Sequence, residues 1–314
     1  MPINNNFFLI ILDLLHEYIK LIKYIVTVKN FSVHLNSFYK IYYNHRVKKA
    51  SLPLKIYIFL TLPINYLINK FFFPSVINLE HYSNKNKFLF EKDLGFLFQY
   101  FNSDKGKKLI NQYNKPIYRD KHYSEGHSYH IYYEKFFSLK KNNQIDLLEL
   151  GSFKGNASAA FYFYFKNCKI ISCDLFPDLF LYKSERIKNF KIDSGSESEL
   201  NNKILKNDYK FDIIVEDAGH FLKDQIISLF ILFKTLKSKG FFVIEELDFP
   251  DKRKDMNIFN EKPTLREILL CVKNNQDFNS KYITNDQKKY FLDNVDQINI
   301  FKGTFHEIAF ITKR

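Results

Sequence analysis

The chain has 314 residues, room for one large or two modest domains, and 46% hydrophobic residues supply a buried core. Its 47 Lys and Arg against 34 Asp and Glu give a formal charge of +13, which suits phosphate, acidic lipid or acidic sugar as partner; genomic base bias toward Lys codons accounts for it equally well. Three cysteines, Cys168, Cys173 and Cys271, show no CxxC or Cys/His spacing, so neither a disulfide framework nor a cysteine metal site is expected and the cytoplasm is the default.

Met1 to Asn6 lacks the basic stretch of a signal peptide, and Asp13, Glu17 and Lys20 interrupt the apolar residues that follow. Residues 7–29 predict an amphipathic helix with Phe8, Leu12, Leu15, Ile19 and Ile22 on one stripe. A Tyr- and Lys-rich stretch over 31–50 leads to an apolar segment at 54–73. Its uncharged run, Ile56 to Asn69, carries Pro63 and Asn65 and falls short of the roughly 20 residues that span a bilayer. Residues 1–90 hold eleven Lys or Arg against three Asp or Glu. They read either as a helical accessory region packing on the rest of the chain or on a second copy, or as interfacial helices whose lysines meet anionic lipid, placing the protein at the inner membrane surface.

Residues 91–314 form the second expected domain. Within it, 102–128 shows little periodicity and predicts a long loop of the kind that forms lids or binding segments. From Gln144 the pattern alternates. Strands are expected at Ile145–Leu150, Lys169–Asp174, Phe190–Asp193, Phe211–Asp217 and Gly240–Glu246, with helices at Asn156–Phe165, Glu197–Leu205 and Leu222–Leu236 between them. Strands separated by helices of this length make right-handed crossovers and a parallel α/β sheet. A hairpin from Gln297 to Thr312, turning at Lys302 and Gly303, closes it and separates the pattern from dehydrogenases, whose last strand stays parallel.

The turn after the first strand reads Glu149-Leu150-Gly151-Ser152-Phe153-Lys154-Gly155. Gly151 permits a tight turn, and Gly155 lets backbone approach a ligand at the helix N-terminus. Phe153 stands where a dinucleotide fingerprint needs its second glycine, and no Gly-Lys-Ser/Thr phosphate loop is present, so a ligand without pyrophosphate is favoured. Asp174, ending the second strand, can accept both hydroxyls of an adenosine ribose, and Asp193, ending the third, lies where an adenine amine would sit. The bland alternative is a helix-packing turn.

The fourth strand ends in Glu216-Asp217-Ala218-Gly219-His220 and the fifth in Glu245-Glu246. Neighbouring strands lie about 5 Å apart, so Asp217, Glu245 and Glu246 would crowd together and repel unless a cation offsets them. Such oxygen donors suit Mg²⁺ or Ca²⁺, and His220 could take a proton from a hydroxyl. The competing reading makes the acids solvated strand ends or helix caps.

Together with Ser103-Asp104-Lys105-Gly106, Gly126-His127-Ser128-Tyr129-His130-Ile131-Tyr132-Tyr133-Glu134 and Val243-Ile244-Glu245-Glu246-Leu247, these motifs resemble the class I methyltransferases typified by macrolide sugar O-methyltransferases of the macrocin and mycinamicin type. The resemblance covers roughly residues 95–314. It implies a Rossmann-like, seven-stranded methyltransferase sheet and Mg²⁺-dependent methyl transfer from S-adenosylmethionine to a sugar hydroxyl. On this footing Asp217, Glu245 and Glu246 are metal ligands, Asp217 and His220 are catalytic with His220 the general base, and Glu149, Gly151, Ser152, Gly155, Asp174 and Asp193 bind cofactor. The chain departs from the family in having Glu-Asp-Ala-Gly-His for Asp-Asp-Gly-Ser-His, Glu246 for an Asp, and Ser194-Gly195-Ser196 for a Gln and a second acid. The expected acceptor is a sugar in a glycan, surface polysaccharide or glycosylated metabolite. Two rivals stand beside this reading. One is a membrane-peripheral polysaccharide-assembly protein on a weakly active or inactive methyltransferase fold. The other is an RNA methyltransferase, disfavoured because no flipped-base motif or RNA module is present.

Overall fold

A computed structural model describes residues 51–71, 76–110 and 123–314, and within the first fifty only Leu35 and Tyr39. The helix expected at 7–29 lies outside the described residues. The chain divides into two compact units, residues 1–73 with 113–119, and residues 74–112 with 120–314. In the first, helix α1 spans Leu52–Phe71 and contains Pro63. Among the described residues no helix is long and apolar enough to cross a membrane.

The second unit begins ahead of position 91, because Leu79 and Leu89 are fully buried in the same apolar cluster as the strands. In chain order it contains β1 (Ile77–Asn78), α2 (Leu79–Lys85), α3 (Leu94–Tyr100), β2 (Lys108–Ile110), β3 (Tyr123–Glu125) and α4 (His130–Phe137). Then come β4 (Gln144–Leu150), α5 (Asn156–Tyr164), β5 (Asn167–Asp174), β6 (Tyr182–Lys183), β7 (Ile187–Lys191), α6 (Glu197–Lys203), β8 (Phe211–Glu216), α7 (Leu222–Leu232) and β9 (Leu236–Ile244). Finally α8 (Phe249–Lys252), α9 (Leu265–Lys273) and α10 (Asn285–Asn294) precede β10 (Val295–Lys302) and β11 (Glu307–Lys313).

Seven strands form one sheet in the order β10-β11-β9-β8-β4-β5-β7. The β9, β8, β4, β5 and β7 strands run parallel, and the hairpin enters antiparallel, Ala309 opposite Ile244. This is the mixed sheet that the sequence pattern implies. Strand order reverses at β4, whose neighbours are β5 on one side and β8 on the other. A crevice opens at such a reversal, at the carboxyl ends of the strands.

Alternation along β4 sends Ile145 and Leu147 to one face and Leu148 and Leu150 to the other, each into its own apolar cluster. Burying a large apolar side chain stabilises by about 1.5–3 kcal/mol, so the two clusters dominate the fold's stability. The cluster of Leu147 is aromatic: Tyr133 stands edge-on to Phe98, Phe137 and Phe310.

Some boundaries differ from the sequence reading. β7 is Ile187–Lys191 rather than Phe190–Asp193, because Ile187 opposite Ile170 starts its pairing with β5 and Asp193 falls beyond the last pair. β9 begins at Leu236 and stops at Ile244, leaving Glu245 and Glu246 in the turn. Part of the stretch expected as a loop, Lys108–Ile110 with Tyr123–Glu125, forms a short antiparallel ladder. The caps of α9 and α10, Thr264 with Glu267 and Thr284 with Gln287, are reciprocal capping boxes.

Candidate active site

The carboxyl ends of β4, β5, β8 and β9 carry the residues that matter. Gly151 and Gly155 both adopt left-handed backbone conformations, φ +85° and +79°. A Cβ on Gly151 would meet the Asp217 carbonyl oxygen at 1.9 Å, and one on Gly155 would meet the Phe180 ring at 2.5 Å. The loop between them thus requires glycine twice. Small residues follow in α5 (Asn156-Ala157-Ser158-Ala159-Ala160), so the helix packs close under the loop. Ser152 Oγ is buried and has no hydrogen-bond partner.

Asp174 closes β5. Its Oδ2 accepts from the Phe153 amide at 2.7 Å and its Oδ1 from the Phe176 amide at 2.8 Å, fixing the carboxylate beside the glycine loop. Glu149 is fully buried, and its Oε2 accepts from Ser158 Oγ, which also pairs with Ser172 Oγ at 2.7 Å. Burial pushes its carboxyl up to about 7. Asp193 lies two residues past β7, its Oδ1 accepting from the Gly195 amide at 3.0 Å. The structure thus gathers Gly151, Ser152, Gly155 and Asp174 at one loop, with Glu149 beneath it.

Across the strand reversal, the Asp217 amide donates to the Leu150 carbonyl at 2.9 Å, tying β8 to the glycine loop. One ligand atom each from Asp217, His220 and Glu246 lie within 4.8 Å of one another. His220 Nε2 is 3.7 Å from both Asp217 Oδ1 and Glu246 Oε2, outside hydrogen-bond range. His220 and Glu246 both have positive φ, +55° and +44°. For residues with side chains such conformations cost roughly 1–3 kcal/mol each and cluster at functional sites. Burial drives the His220 imidazole down to about 4, so it is neutral near pH 7.

Glu245 behaves differently. Its Oε1 accepts from the Tyr133 hydroxyl and lies 3.0 Å from Lys105 Nζ, which also bonds Asp217 Oδ2. Lys105 is 1% exposed. Burial works against its ammonium, but Asp217 and Glu245 outweigh that and hold its pKa well above that of an ordinary lysine. His127 Nε2 sits 3.0 Å from Glu246 Oε1. The segments bearing Lys105 and His127 are laced together: the His127 amide donates to the Asp104 carbonyl at 2.7 Å, and the His130 amide to the Lys105 carbonyl at 3.0 Å.

From sequence, the loop around Ser103-Asp104-Lys105 and the His127/Tyr129/Tyr133 segment are candidates to close over an acceptor, with a helix face packed on the sheet as the alternative for Tyr129 and Tyr133, and not partners of the acids. Their motifs were visible, but nothing in the spacing shows that Lys105 reaches a carboxylate 112 positions away. Tyr129 and Tyr133 are fully buried as parts of a packed helix face, and Tyr133 additionally grips Glu245.

The donor set fits a divalent cation. Three carboxylates, Asp217, Glu245 and Glu246, face one buried ammonium. Burial first, then Asp217 and Glu245, push the Glu246 carboxyl well above the usual range, and its Oε2 is a buried acceptor without a hydrogen-bond donor. Such a group accepts added positive charge.

The superposable solved structures include MycE methyltransferase from the mycinamycin biosynthetic pathway in complex with Mg and SAH. It is 18% identical, with a TM-score of 0.52, covering 71% of this chain and 55% of that one. Its complex with Mg, SAH and mycinamycin VI gives a TM-score of 0.51 at the same identity, covering 71% and 54%. The fold is that of a methyltransferase. This chain spans about half the length of MycE. Neither a protein-family model nor a curated protein matches the sequence. On the methyltransferase fold, the glycine loop and the Asp217, His220 and Glu246 group sit on the two sides of one strand-order reversal.

Proposed function

We propose that this protein is an S-adenosylmethionine-dependent O-methyltransferase that methylates a sugar hydroxyl in a cation-assisted reaction. The observation that carries the reading is the meeting of the glycine loop with the group of half-buried Asp217 and His220 and buried Glu246, Gly151 packed on the Asp217 carbonyl. Gly151, Ser152 and Gly155 would follow the cofactor's backbone, with the unpartnered Ser152 hydroxyl turned to it, and Asp174 would accept from its ribose hydroxyls. Glu149 supports the loop from beneath, and Asp193 marks the adenine side.

Asp217 and Glu246 would be the direct donors to Mg²⁺, with Glu245 adding charge beside them. A bound cation of this kind orients vicinal hydroxyls and lowers the pKa of one. His220 takes the acceptor's proton at Nε2. Its buried imidazole is neutral and free to accept, but weak as a base, so it needs an acidified hydroxyl. S-adenosylmethionine, when bound, would supply a methyl group already activated by its sulfonium, and the glycine loop and the acid group would hold that carbon and the acceptor oxygen in line. Holding the reactants in line supplies most of the acceleration.

Two measurements test the reading. Titration with S-adenosylhomocysteine should give saturable binding that Asp174→Ala weakens at least about ten-fold, the loss of one good charged hydrogen-bond acceptor. Mass spectrometry of host glycans with and without the protein should show a difference of roughly 14 mass units per sugar. Absence of binding would favour the assembly-protein reading, and binding without a methylated glycan would remove the sugar acceptor.

A further inference from the structure

Helix α1 is apolar on two faces. Ile58, Leu62 and Tyr66, spaced by four, form a buried stripe. At about 100° per residue, Phe59, Leu52, Ile56, Leu60, Ile64 and Tyr57 spread over about 160° on the other side, and all six are exposed, Phe59 to 75% and Leu52 to 70%. Pro63 falls within the same arc. Exposed apolar surface of this extent on one helix marks an interaction face.

Charge identifies the occupant. Between Glu17 and Glu80 the sequence has no acidic residue and nine basic ones, Lys20, Lys23, Lys29, Lys40, Arg46, Lys48, Lys49, Lys55 and Lys70. A second copy would bring the same unrelieved positive charge to the contact, whereas an anionic bilayer neutralises it. The helix is not long and apolar enough to cross a membrane, and Tyr57 is a side chain of the kind that settles at a headgroup boundary. We propose that α1 lies in the plane of an anionic bilayer surface, its Phe59 and Leu60 face among the acyl chains, drawn there by the net positive charge of this stretch of sequence.

The full-length protein should float with vesicles of phosphatidylcholine containing roughly one-third phosphatidylglycerol, and bind pure phosphatidylcholine at least about ten-fold more weakly. Raising salt to about 1 M, where the Debye length is about 3 Å, should release most of it. Phe59→Glu with Leu60→Glu should reduce binding at least about ten-fold with an unchanged thermal melt, since both side chains are already exposed. Lys48→Glu, Lys49→Glu and Lys55→Glu together should do the same without altering the apolar face. Failure to bind anionic vesicles, or equal binding to neutral ones, overturns the proposal. So does a dimer in sedimentation velocity that the Phe59/Leu60 variant dissolves, since a second copy would then cover the face.

Discussion

Gly151 and Asp217 meet backbone to backbone: no atom larger than hydrogen fits on the Gly151 Cα, because the Asp217 carbonyl oxygen occupies that place. The glycine loop and the acid-bearing turn are therefore one object. Gly151→Ala should displace both, adding a left-handed Cβ penalty of about 1 kcal/mol or more to a clash that only backbone movement relieves. We expect lowered stability in urea and loss of S-adenosylhomocysteine binding together; a variant that binds normally would show that the two turns move independently.

Lys105 is the sole ammonium seen between Asp217 and Glu245 among the described residues. Lys105→Met should cost about 3–5 kcal/mol in urea unfolding, the usual consequence of stranding a buried charge. Added Mg²⁺ should recover more stability in the variant than in the parent. Equal stability of the two proteins would mean that the carboxylates are protonated in the folded state and need no counter-charge.

His220→Ala should leave cofactor binding within about two-fold and lower turnover by about 10²–10⁴-fold, the range for loss of a general base. Undiminished turnover would remove the base assignment. Glu246→Gln should instead weaken Mn²⁺ binding, read by electron paramagnetic resonance of the free ion, and do so without substrate present.

Glu216 is fully buried at the end of β8, and burial first, then Asp217, push its carboxyl up to about 8. In the unfolded chain it ionises near 4.5. Between those values the folded state holds a proton that the unfolded state has released, so stability falls as pH rises from about 4.5 to about 8. Glu149, pushed up to about 7 mainly by burial, acts in the same sense. Glu216→Gln should therefore melt like the parent at pH 5 and at least about 2 °C higher at pH 8.5, given roughly 2–4 °C per kcal/mol for a domain of this size. An identical difference at both pH values would show that ionisation of Glu216 plays no part.

Much of this architecture was legible because periodicity reports burial. The β4, β5 and β8 strands read as short apolar runs since both sheet faces are covered, and Gly151 and Gly155 stood out as the glycines of the turn after β4, where a side chain would clash. Two kinds of information were hidden. The ends of β7 and β9 depend on pairing with neighbours, so Asp193, Glu245 and Glu246 were placed in strands when they lie in turns. Which carboxylate faces which partner depends on rotamers and on residues far away in the chain. Glu245 and Glu246 are adjacent in sequence, yet one is held by Tyr133 and Lys105 and the other by His127.

Lys105 enters the acid group from the stretch between α3 and β2, ahead of the first strand of the large sheet. A fragment trimmed to begin at β4 would keep every carboxylate of the site and every strand that carries them, while discarding the cation that makes their proximity tolerable. The smallest portion of this chain able to fold around its own chemistry thus starts well before the sheet does, and grafting the sheet's loops alone onto another scaffold would transplant the repulsion without its remedy.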